Sequence, residues 1–167
     1  SSVGDVQAEG GRIILVNRPN SPQSYIVGAQ VTPLDAGDPA FIAFNSANNS
    51  LGGDFLSRLN MDLRETKGWS YGVGGQLQER ENAVVYQIAG GVQADRTGDS
   101  VAELIRETKE FLTTNGVTTA ELARTKAALI GELPGSFESS PAVLGAMQSN
   151  ALFGRPDGYY ETLAGIY

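Results

Sequence analysis

The sequence predicts an α+β domain with a mostly antiparallel sheet and helices packed on it. Three observations lead there. Short runs of alternating apolar residues occur early in the chain and again after residue 70. Helical spacing of apolar residues fills the region between these runs and dominates from residue 100 onward. No strand–helix–strand alternation runs through the chain, which argues against a parallel α/β sheet.

The elements follow in order. Residues 12–17 (Arg-Ile-Ile-Leu-Val-Asn) form an apolar run closed by Arg18-Pro19-Asn20-Ser21-Pro22 and read as a buried strand before a proline-marked loop. That loop reads first as a plain connection. The alternative is that Gln23 marks a surface touching a partner. From Gln23 to Thr32, Tyr25, Val27, Ala29 and Val31 alternate with other residues, as in a second strand.

Asp38 is placed as an N-cap with Pro39 at the first helical position, predicting a helix over 39–48 with Phe41, Ile42, Phe44 and Ala47 inward. Asn48-Asn49-Ser50 before Gly52-Gly53 predicts a break or bend. The helix then resumes to about Glu65, with Phe55, Leu56, Leu59 and Leu63 on one apolar face. Lys67-Gly68 ends it, a cation at the negative end of the dipole followed by a residue that tolerates positive φ.

Ser70 to Glu79 is extended and rich in glycine (Gly72, Gly74, Gly75), which suits a bulge or the close approach of another backbone. Arg80-Glu81-Asn82 is a turn, and Ala83 to Val92 returns as the second arm of a hairpin. A helix over 100–114 should turn Val101, Leu104, Ile105, Phe111 and Leu112 inward and end at Asn115-Gly116. Thr118-Thr119-Ala120-Glu121 is a capping box for a helix carrying Leu122, Leu129 and Ile130, with Arg124, Lys126 and Glu132 on its solvated face. Further helices are expected from Ser140-Pro141 to Leu152 and from Tyr159 to Tyr167, separated by the loop 154–158. The expectation is a single domain over 1–167, cut from a longer chain and lacking its last helix and strand.

Composition narrows the chemistry. Apolar residues at 41% and charged residues at 19% describe an ordinary globular chain, and 167 residues can bury a sizeable core. A net charge of −7 and a pI near 4.5 speak against nucleic acid or an anionic membrane as a partner. No apolar run approaches the length of a membrane span. Without cysteine there are no disulfides or thiolates, and without histidine there is no Ser-His-Asp or Cys-His catalysis and no His-ligated zinc. No acidic cluster suggests a metal held by carboxylates, so no cofactor is expected on this chain.

Gly52-Gly53 before a helix invites a phosphate-binding reading, but no Walker lysine, GxGxxG or βαβ period accompanies it, and close packing is the better reading. A small-molecule site on the glycine-lined hairpin has no specific support. Arg64 sits in the last helical turn and Tyr71 opens the strand, so the turn between them brings one guanidinium and one phenol toward the same edge. Taken alone, each reads as a surface residue.

Residues 51–73, from Leu51-Gly52-Gly53-Asp54 through Arg64-Glu65-Thr66-Lys67-Gly68-Trp69-Ser70-Tyr71-Gly72-Val73, resemble the signature of the second, zinc-free half of pitrilysin-type M16 metallopeptidases. Residues 18–24 resemble the loop that opens that domain, and the likeness runs from about residue 11 to the end. It implies a fold like that of LuxS and the mitochondrial processing peptidase. It also implies two similar domains closing on an unfolded peptide, one holding zinc through an inverted His-x-x-Glu-His motif. The other supplies an Arg and a Tyr seven positions apart, matched here by Arg64 and Tyr71, with Gly72 beside them at the substrate. By that resemblance the chain is the non-catalytic half of a zinc metalloendopeptidase, inactive alone, and its partner is the HxxEH-bearing domain. The alternative is a scaffold subunit of the same fold with no peptidase role. The resemblance points to the periplasm or cell envelope rather than the cytoplasm, although no residue addresses compartment.

Overall fold

A computed structural model describes residues 10–80 and 82–167. Its sheet has three antiparallel strands, β1 (Gln23–Thr32), β2 (Ser70–Arg80) and β3 (Ala83–Gln93), in the order β1-β3-β2. β2 and β3 pair as a hairpin, and β1 lies on the far side of β3 across ten consecutive residue pairs. Among the described residues the sheet is wholly antiparallel, and helix outweighs strand.

Helix α1 (Ala40–Asn48) begins where Asp38 Oδ1 accepts the Ala40 N–H at 2.7 Å and the Asp38 carbonyl accepts the Phe41 N–H at 2.9 Å. It runs into a wider π turn over Asn49–Gly53, then breaks. Helix α2 (Arg58–Asn60) restarts the winding and passes into a second π segment, Met61–Thr66. The break after residue 53 corrects the expected face. Leu59 and Leu63 are each 1% exposed, whereas Phe55 and Leu56 lie outside the helix and are exposed. Gly68, at φ 65°, ends the segment by returning its own N–H to the Arg64 carbonyl and the Trp69 N–H to the Leu63 carbonyl.

The core is Leu51, Leu59, Leu63, Val73, Val92, Leu104 and Phe111, with Ile26, Trp69, Tyr86 and Ile88 packed around it. It joins one face of the sheet to the α1–α2 region and to α3 (Thr97–Thr113). Only the Leu104–Phe111 stripe of α3 reaches this core; Val101, Ile105 and Leu112 are exposed, against expectation.

Helix α4 (Thr119–Glu132) opens with the predicted capping box: Thr118 Oγ1 accepts the Glu121 N–H and Glu121 Oε2 accepts the Thr118 N–H. Leu122 and Ile130 on it are exposed. Helices α5 (Ser140–Leu152) and α6 (Tyr159–Ile166) follow. They are fastened by Arg155, whose guanidinium reaches the Ala36 carbonyl at 2.7 Å and Glu79 at 2.7 Å while lying over the rings of Phe153 and Tyr159.

The expected strand at 12–17 is absent. Residues 11–18 form no strand, and Ile13, Ile14, Leu15 and Val16 are exposed, because no described strand lies on the outer side of β1 to receive them. The expected loop after it does form, as a tight turn with the Ser21 N–H donating to the Arg18 carbonyl at 3.3 Å and Asn20 at φ 62°. Of the 80–82 turn, Glu81 lies outside the described residues.

Candidate functional site

Glycine decides how closely the α1–α2 region meets β2. A Cβ on Gly52 would stand 2.6 Å from the Gly75 nitrogen, and one on Gly75 would stand 2.5 Å from Asn48 Oδ1. Gly52 thus packs against the strand and Gly53 against Asn48, as close packing requires, and no anion site is needed to explain the pair. Two buried asparagines complete the joint. Asn48 Nδ2 donates to the Gly75 carbonyl at 3.0 Å. Asn60 accepts the Val73 N–H at 3.3 Å and donates to the Phe55 carbonyl at 2.7 Å.

Arg64 and Tyr71 emerge at one end of this joint. Both line a cleft of about 530 Å³ together with Pro22, Gln23, Trp69 and Gln93. The first residues of β1 and β2 and the last of β3 form its walls. Gly72 follows Tyr71 on the strand but is not among the lining residues.

Arg64 projects from the π segment, where Leu63 beside it is sealed in the core. Its guanidinium carbon lies 4.4 Å over the Phe55 ring, and Nη1 approaches Glu65 Oε1 at 3.5 Å. Nη1 is buried and makes no hydrogen bond among the described residues, its nearest charged neighbour being that Glu65 oxygen.

Tyr71 is 88% exposed. The reason lies in the pairing: Ser70 faces Val92 and Gly72 faces Gly91, which leaves Tyr71 as the extra residue of a β-bulge. One hydroxyl fills the gap so made. Ser70 Oγ donates to the Gly91 carbonyl at 2.6 Å and accepts the Gly72 N–H at 3.0 Å. Gln93 closes the floor, its Nε2 donating to the Gly68 carbonyl at 3.0 Å and its N–H to the Trp69 carbonyl at 2.8 Å. Trp69 packs against the core and has two cations near its ring, Lys67 at 5.4 Å and Arg96 at 5.6 Å. Hydrogen bonding to Asp62 raises the Lys67 pKa, so that cation is firmly paired.

The other well-placed arginine of this region is engaged in the fold. Arg58 forks onto both Glu121 oxygens at 2.7 Å, donates to the Asn115 and Gly116 carbonyls and lies over Phe111. The Arg58 hydrogen bond lowers the Glu121 pKa to about 2. The structure therefore brings together the two residues singled out by spacing. It adds Phe55, Asn60 and Ser70 as their supports, for which periodicity gave no sign. Among the described residues no group of three or more His, Cys, Asp and Glu is placed to hold a metal.

Residues 2–129 match the family described as the peptidase M16 inactive domain. An uncharacterized zinc protease of Bacillus subtilis, YmxG, is 35% identical over 105 residues, covering 63% of this chain and 25% of its own length. The crystal structure of a peptidase M16 inactive domain from Pseudomonas fluorescens superposes with a TM-score of 0.78 at 26% identity, covering 87% of this chain and 34% of that one. The periplasmic protease PqqL of Escherichia coli shares the fold, with a TM-score of 0.69 at 15% identity over 88% of this chain and 16% of its own. The chain thus spans about a quarter to a third of the length of the first two. It belongs to the M16 peptidase family as its inactive, zinc-free domain, and is not itself catalytic.

Proposed function

We propose that this domain completes the active site of an HxxEH-bearing zinc domain, on the same chain or on another subunit, for hydrolysis of unfolded peptides. One observation carries the reading: Arg64 and Tyr71, seven residues apart, line one cleft, and Tyr71 is exposed there. The donor set of this chain does not fit zinc, since it has no histidine or cysteine, so the metal belongs to the partner. There it would polarise the scissile carbonyl and activate water.

The part left to this chain is electrostatic and positional. A Tyr71 hydroxyl aimed at the developing oxyanion donates a hydrogen bond that strengthens as negative charge grows, worth about 3 kcal/mol in comparable donors. The Arg64 fork, steadied on Phe55, holds a backbone carbonyl or carboxylate of the peptide and fixes its register. Placing both on a separate domain makes closure a condition of turnover. An envelope location is consistent with the periplasmic description of PqqL.

Mixing the domain with its zinc-bearing half should produce peptide hydrolysis. Tyr71→Phe should lower turnover about ten-fold or more, with the domains still associating. If Tyr71→Phe turns over like the parent, Tyr71 has no part in the chemistry and a scaffold role takes its place.

A further inference from the structure

Resting on that reading, we infer that Ser70 and Phe55 are the positioning residues of the site, one setting Tyr71 and the other setting Arg64. A bulge alone does not aim a side chain. The extra residue interrupts the ladder, and the bulged strand can relax unless something replaces the lost bonds. Here the Ser70 hydroxyl stands between the Gly72 N–H, at 3.0 Å, and the Gly91 carbonyl, at 2.6 Å, the two backbone groups of the residue pair next to Tyr71. It donates to one and accepts from the other, both through the single oxygen of a hydroxyl. The backbone on either side of Tyr71 is thereby fixed, and the phenol points out of the sheet with no contact of its own needed to hold it.

Phe55 answers a separate puzzle. It is a large apolar residue at 60% exposure, outside the helix in which the spacing placed it. Its ring lies under the Arg64 guanidinium at 4.4 Å, and its carbonyl is gripped by Asn60 at 2.7 Å. Asn60 also holds the Val73 N–H, two residues beyond Tyr71. The shelf for Arg64 and the strand for Tyr71 are tied through one buried amide, so the two functional groups share a single frame. Stacking restrains the face of the guanidinium and occupies none of its N–H donors, while Glu65 approaches Nη1 at 3.5 Å.

The decisive experiment is a pair of double-mutant cycles in the reconstituted two-domain enzyme, with amide exchange of this domain as an independent readout. Ser70→Ala should lower kcat about ten-fold with KM nearly unchanged, should have no further effect when Tyr71 is already Phe, and should be rescued by Ser70→Thr. It should also speed exchange of the Gly72 amide about ten-fold while the midpoint of unfolding stays in place. Phe55→Ala should raise KM several-fold, with no further effect in an Arg64→Ala background, and Phe55→Tyr should restore it. If Tyr71→Phe slows turnover while Ser70→Ala does not, or if the two losses multiply, the positioning role is overturned and the proposed function stands. If Gly72 exchange is unaltered by Ser70→Ala, the hydroxyl does not hold the bulge and the inference also fails, whatever the kinetics. If Tyr71→Phe has no effect although Gly72 exchange does rise, the functional reading fails, and with it the site that Ser70 was inferred to serve.

Discussion

Along the outer edge of β2, Asn48 and Asn60 occupy backbone groups that would otherwise face solvent, and the Gly52 backbone lies against Gly75. Along the outer edge of β1 the same sheet meets no described strand, and Tyr25 and Val27 stand exposed on a ten-residue strand with no charge and no proline. The difference shows where rigidity is concentrated. The closed edge carries Tyr71 on its bulge and abuts the segment that carries Arg64, whereas β1 contributes only its first residue, with Pro22 before it, to the cleft. An aimed donor needs a frame fixed to within a fraction of an ångström, and polar clasps on a glycine joint supply one.

The comparison can be broken at the joint. Gly52→Ala forces a side-chain carbon onto the Gly75 backbone, which cannot rotate away, and should cost about 3 kcal/mol of stability by urea titration. A cost near zero would mean that the helix and strand are not in rigid contact. Asn60→Ala comes next. It leaves the Val73 N–H and the Phe55 carbonyl without partners and should destabilise the domain by about 2 kcal/mol.

Acid sharpens the picture, because Arg58 in α2 is anchored to Glu121 in α4. The Arg58 hydrogen bond draws the Glu121 pKa down from 4.5 to about 2. A folded-state value below the unfolded one means a contribution that is complete above pH 4.5 and lost as pH falls toward 2. Unfolding midpoints measured across that window should decline, and the decline should flatten in Glu121→Gln. The smallest effect belongs to the open edge: Val27→Lys should change stability by no more than about 0.5 kcal/mol, since that side chain is already exposed.

Much of the fold was legible because it is encoded by neighbours in sequence. The Asp38–Pro39 helix start, the Thr118–Glu121 capping box, the Lys67–Gly68 stop and the β2–β3 hairpin all depend on residues a few positions apart, and all appear where the pattern put them. The spacing of Arg64 and Tyr71 across a helix–turn–strand unit is local in the same sense, so their convergence could be anticipated. Phe55 and Leu56 were misassigned because helical periodicity continues through a segment whose backbone leaves the helix to let Gly52 reach β2. The run at 12–17 reads as a strand in isolation, yet a strand exists only where another strand accepts it, and its own sequence holds no record of that. Arg155 sat in what looked like a plain loop; its partners, Ala36 and Glu79, lie more than seventy residues away.

By itself, then, the sequence determined the class of the fold, the order of most elements and the absence of histidine and cysteine donors, because these follow from composition and from short-range backbone preferences. Tertiary structure alone decided which apolar residues were covered, which edge of the sheet was closed, and which arginine was tied into the fold and which lined the cleft. Those outcomes turn on how many groups from distant parts of the chain arrive at one place, and burial and hydrogen bonding are settled only when they do.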